Sequence, residues 1–187
     1  MKFGIIGLPQ SGKTTVFNAL SGAQASVGDY STSKEANISV VRVPDVRVER
    51  VAEIFEPRKV THAEIEYIDI AGLTRDASSD RKKEAAYIHS IRQADALLQV
   101  VRCFENPNVP HADGSVDPGR DVNEVDSELM LADLISVENR LTKLKRDLKV
   151  AKKDRDEIEF QTLQKFQETL EDEKPLRSLE LTDEQSR

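Results

Sequence analysis

The sequence predicts an α/β domain of alternating strands and helices, followed by an antiparallel α-helical coiled-coil hairpin. Three observations carry this. Short apolar, β-branched runs alternate with helical patterns up to about residue 128. From about Asp126 the apolar period changes to a 3,4 heptad spacing. Charge is uneven: 26 of the 61 charged side chains fall in the last 57 positions, leaving the first 130 residues a composition able to bury a core. The expected divisions are 1–128 for the α/β domain, 129–174 for the hairpin, and 175–187 for a return segment.

Phe3, Ile5 and Ile6 suit a short buried parallel strand. A Gly-rich loop follows, then Val16, Phe17, Ala19 and Leu20 at helical spacing up to Ser21-Gly22. Residues 23–36 read as loop. Asn37–Val43 is β-branched and reads as a strand. Beyond Pro44-Asp45, Val48, Val51, Ile54 and Phe55 share one helical face, and Pro57 stops that helix. Ala63–Ile70 is a strand with Asp69 near its carboxyl end, and Glu84–Gln93 is a helix. Ala96–Phe104 reads as the clearest buried strand, and 105–120, with three prolines and two glycines, as loop.

Leu134, Val137, Leu141, Leu144, Leu148 and Ala151 form the heptad seam. Ile158, Leu163, Phe166 and Leu170 mark a second arm, ended by Pro175, with the turn placed near 151–156.

A net charge of -7 argues against a general DNA-coating role, so no DNA partner is expected. A single cysteine, Cys103, excludes an intrachain disulfide and a Cys-based zinc site and fits a reducing cytoplasm. No apolar stretch approaches a membrane span of about 20 residues. The expected location is cytoplasmic, with no membrane partner. Cys103 reads either as a small buried hydrophobe or as a redox switch.

Gly7–Thr14 fits G-x-x-x-x-G-K-[ST], the phosphate-binding P-loop, and stands where that loop must stand, between an apolar strand and an amphipathic helix. The stretch Pro9, Gln10, Ser11, Gly12, Lys13, Thr14 and Thr15 is expected to curl around phosphate at a helix N-terminus, with backbone N–H groups from every residue but Pro9, which has none. Lys13 is expected to reach the β/γ-phosphates, and the Thr14 hydroxyl to ligate Mg²⁺. Asp69-Ile70-Ala71-Gly72 supplies a strand-end carboxylate for Mg²⁺ and, at Gly72, a backbone N–H for the γ-phosphate. Without a ligand, the same strings are a strand–helix turn and a strand-ending Asp turn.

The blocks GLPQSGKTTVFNAL, VVRVPDVRVERVAEIFEPRK, YIDIAGL, VVRCFENPNVPHADGSVDP and DSELMLADL, in this order, resemble the Obg-like ATPases of the YchF type. These are translation-factor-class P-loop NTPases with a Ras-like G domain. The likeness covers residues 1–135, and the hairpin fits the family's inserted coiled coil. It implies a cytosolic, Mg²⁺-dependent nucleotide switch that prefers ATP over GTP, hydrolyses it slowly and associates with ribosomes. It aligns a loop histidine proposed to act in hydrolysis with His111, which otherwise reads as a solvent-exposed loop side chain. It aligns the metal-binding threonine of the first switch with Ser33.

The sequence departs from the family's pattern. After Asp-x-x-Gly comes Leu73, hydrophobic as in the family, where many Ras-like GTPases carry a water-orienting Gln. Residues 74–86 lack the family's glycines. The base-reading segment, the remaining strands and the C-terminal TGS domain do not follow the hairpin, so the G domain is expected to be incomplete and the chain a fragment or short homologue. Asn123–Asp126 matches Asn-x-x-Asp by letters but reads as a helix N-terminus.

Arg140–Arg155 carries eight basic side chains against Asp147 and Asp154. It reads as a solvated coiled-coil face or as a contact with ribosomal RNA. Two further functions stay open: a module that holds nucleotide without turnover, and a small-molecule kinase. The kinase reading lacks the Arg-rich lid it would need.

Overall fold

The computed structural model describes residues 1–22, 37–70, 81–111, 113–150, 154–182 and 185. The elements are β1 (Lys2–Ile6), α1 (Lys13–Ser21), β2 (Asn37–Arg42), α2 (Val46–Phe55), β3 (Glu64–Asp69), α3 (Arg81–Arg92), β4 (Ala96–Gln99), α4 (Pro118–Val150) and α5 (Asp154–Glu171), with a 3₁₀ turn at Leu176–Ser178. The chain divides into two units, Met1–Val122 and Asn123–Arg187.

The first unit is built on a four-stranded sheet in the order β2-β3-β1-β4. β1 lies parallel to β3 and to β4, while β2 pairs antiparallel with β3. The apolar run of β1 explains its central place: Ile5 and Ile6 are buried, with Ile68 of β3 and Phe17 of α1. Register sets Ile5 opposite Asp69, bringing the end of β3 beside the end of β1, where the Gly-rich loop begins.

Three expectations need correction here. The apolar face of α2 is not core: Val51, Ile54 and Phe55 are 53%, 73% and 75% exposed. Helical spacing fixes a common face, but whether that face is covered depends on tertiary neighbours. The strand foreseen over 96–104 ends at Gln99, and Cys103 is exposed rather than a buried hydrophobe. Its neighbour Arg102 is the buried one. Finally, the loop over 105–120 yields to α4 at Pro118. Asp117 caps that helix, accepting from the Arg120 N–H at 3.1 Å through Oδ1, and Pro118 takes the first position, where no N–H is needed. Asn123–Asp126 therefore lies inside α4, not at its start.

In the second unit the heptad seam is the core. Val137 and Leu141 of α4 meet Leu170 of α5, flanked by Met130, Leu134, Phe160, Leu163 and Phe166. Leu144 is 1% exposed. Across the two arms Arg140 pairs with Glu159 at 2.6 Å, and the Lys145 ammonium lies 6.0 Å from the Phe160 ring centroid. Contacts that run from 145–160 back to 137–170 make the arms antiparallel. The position of the turn lies outside the described residues.

Candidate functional site

The loop from Gly7 to Gly12 gets its shape from backbone conformations that side chains resist. Gly7 has φ 145°, and a Cβ there would sit 2.3 Å from the Val100 carbonyl oxygen. Gly12 has φ 100° as the N-cap of α1, with open space where its Cβ would be. Gln10 takes the left-handed region at φ 60°. Both glycines are therefore required by backbone geometry, Gly7 by close approach as well.

Lys13 is 0% exposed. Its Nζ donates to the carbonyls of Gly7 at 3.0 Å and Leu8 at 2.8 Å, arching across the loop. Burial pulls its pKa from 10.5 down to about 8, against the opposing pull of the Asp69 charge. Thr14 is also buried, and its hydroxyl donates to Asp69 Oδ2 at 2.8 Å. The Asn37 side-chain amide donates to the same oxygen at 3.4 Å. The Ser11 hydroxyl is buried with no hydrogen-bond partner among the described residues.

These features suit an anion over the loop and a hard cation beside it. A loop with an orphaned buried hydroxyl, a buried lysine and a helix N-terminus has donors in excess of acceptors. Thr14 and Asp69 bring together two oxygen donors of the kind Mg²⁺ prefers. Pro9 and Gln10 form the outer curve of the loop, with Gln10 exposed, and Thr15 is exposed on the first turn of α1. Ser33, Gly72 and Leu73 lie outside the described residues.

His111 stands apart from the exposed-loop reading. Its side chain is 7% exposed, with Nε2 2.9 Å from Asp121 Oδ2. Its Nδ1 accepts the Asp113 backbone N–H at 3.2 Å, which assigns the proton of the neutral ring to Nε2. Arg120 then neutralises Asp121, at 2.9 Å. Neither Asp121 nor Asn37 is a site candidate in the sequence reading. Their only signal is proximity in the fold, which spacing does not reveal.

Residues 2–179 match the family described as 50S ribosome-binding GTPases. The chain belongs to this family. Within it the chain is similar to a protein named ribosome-binding ATPase YchF from Bacillus subtilis (strain 168), 40% identical over 186 residues, 98% of this chain and 50% of that protein. The protein of the same name from Escherichia coli O157:H7 is 37% identical over 185 residues, 98% of this chain and 51% of the other. The solved structure of the Schizosaccharomyces pombe YchF GTPase superposes with a TM-score of 0.73 at 29% identity, covering 99% of this chain and 51% of that one. The likeness to YchF-type, Obg-like P-loop NTPases read from the sequence blocks is thus borne out, as is the fold of an incomplete G domain carrying a helical hairpin. The chain spans about half the length of the relatives it matches. Among the described residues no helix is long and apolar enough to cross a membrane.

Proposed function

We propose that the chain is the phosphate-binding half of a ribosome-associated, Mg²⁺-dependent NTPase of the cytoplasm, taking ATP in preference to GTP and hydrolysing it slowly. The observation that carries this is the loop itself, with Lys13 buried across it and Thr14 held on Asp69. The ATP preference, the ribosome and the cytoplasmic location rest on resemblance to the YchF proteins. In this reading Pro9–Thr15 and Gly72 hold the phosphates, and Lys13 turns from the loop carbonyls to the β/γ-phosphates. Thr14, Asp69 and Ser33 provide the metal's protein ligands. Bound Mg²⁺ would neutralise charge on the β/γ-oxygens. His111 acts in hydrolysis by orienting water, with Asp121 holding its ring.

Thermal shift with ATP, GTP and ADP plus Mg²⁺ tests ligand binding, because a ligand of the folded state alone raises stability. Lys13→Ala should abolish the shift while leaving the circular dichroism spectrum unchanged. Equal ATP affinity in that variant would sink the assignment. Single-turnover phosphate release separates hydrolysis from a module that only holds nucleotide, a reading that Leu73 favours. His111→Ala should slow release by about tenfold, roughly 1.4 kcal/mol of barrier.

A further inference from the structure

A cavity of about 290 Å³ is lined by Arg102, Asn106, Pro110, His111, Ser115 and Val116 among others. Arg102 is only 4% exposed. Its Nε donates to the Phe104 carbonyl at 3.0 Å and its Nη2 to the Asn106 carbonyl at 3.4 Å. The guanidinium carbon lies 5.5 Å from the Phe104 ring centroid. Among the described residues, buried Nη1 has no hydrogen-bond partner and no carboxylate pairs with this guanidinium.

A buried cation without a counter-charge is costly, and two carbonyls and a ring face offset only part of that cost. The nearby acids are engaged elsewhere: Asp121 with His111 and Arg120, and Asp113 3.8 Å from Arg120. Glu105, which also lines the cavity, is exposed. Other donors face the same space. Ser115 Oγ accepts from Arg120 at 3.4 Å, which leaves its own hydroxyl proton to give. Asn106 uses its Oδ1 to accept the Asn108 N–H, which leaves its amide NH₂ as a donor.

We propose that this cavity is a second anion site, in which one small oxyanion, a phosphate or a carboxylate, pairs with Arg102 and accepts from Asn106 and Ser115. The guanidinium fork is the side chain best shaped for either group. His111, which the nucleotide reading uses, lines one wall; the site goes beyond that reading because the three residues that would hold the anion, Arg102, Asn106 and Ser115, have no part in it.

The test is calorimetric titration of the full chain with inorganic phosphate and, separately, with acetate. Lys13→Ala serves as the background that removes the phosphate loop's contribution. Binding should persist in that background and weaken at least tenfold when Arg102→Met is added. Val116→Phe, which fills the cavity and leaves the guanidinium in place, should weaken it comparably and covers the case that Arg102→Met does not fold. Heat in the phosphate arm alone assigns phosphate, and heat in the acetate arm a carboxylate. No binding of either anion in the Lys13→Ala background, or binding unchanged by Val116→Phe, overturns the site. Loss of ATP binding in Lys13→Ala reports on the nucleotide reading separately.

Discussion

A lysine that is 0% exposed and titrates at about 8 makes two measurable demands on the protein. The first concerns stability. The unfolded chain holds the Lys13 proton up to its ordinary 10.5, while the folded chain releases it at about 8. Between those values the unfolded state binds more protons, so stability rises with pH. Below about pH 8 the buried charge costs about 3 kcal/mol, and that cost fades towards pH 10.5. Lys13→Met keeps the stem and removes the charge. Its stability relative to wild type, from urea midpoints, should fall by up to about 3 kcal/mol between pH 7 and 10.5; a constant gap would contradict the burial argument. The second concerns ligand. Phosphate beside Nζ favours the charged form. Near pH 8.5 nucleotide binding should therefore take up as much as about one proton, seen as a buffer-dependent enthalpy in calorimetry and fading towards about pH 6.5, where Lys13 is already charged in the free protein.

The helical hairpin is where sequence and structure agree most closely, because a heptad seam states its own partner. Val137, Leu141 and Leu144 fall on the seam and are all at most 7% exposed. Leu144→Ala should cost about 2–5 kcal/mol, the range for emptying a buried leucine site. Leu131→Ala, at a position 58% exposed on the same helix, should stay within about 0.5 kcal/mol. Similar denaturant midpoints for the two variants would mean that the arms are not packed through this seam. The phosphate loop was equally legible, since its glycines and Lys13 answer to local backbone geometry. The failures share a cause. Val100–Phe104 has the apolar letters of a strand, but pairing stops at Gln99 and Arg102 is the buried side chain, which hydropathy does not foresee. The face of α2 is apolar yet exposed, because periodicity says nothing of what lies opposite. Asp117-Pro118 was a readable cap and first-turn signal, outweighed by the glycines and prolines around it. His111 and Asp121 are ten residues apart, and only the fold joins them.

At the scale of the molecule the relevant quantity is how a net charge of -7 is distributed. Residues 140–155 run against it, with eight basic side chains and two acids. Arg140 is committed to Glu159, and Lys145 lies over Phe160, so neither is a clean probe of a partner. Lys143 and Arg146 are exposed on α4, and Lys149 follows one turn later in the sequence. If this stretch meets ribosomal RNA, each lost phosphate contact removes one released counterion from the binding equilibrium. Reversing Lys143, Arg146 and Lys149 to Glu should then weaken co-sedimentation with ribosomes and lower the slope of log affinity against log salt by about 2–3. ATP affinity should not move, since none of the three belongs to the phosphate loop. The salt slope is the deciding measurement, because misfolding would reduce pelleting at every ionic strength without changing the number of ions released. Unchanged pelleting and an unchanged slope would leave these cations as a solvated helix face, with any ribosome contact made through other residues.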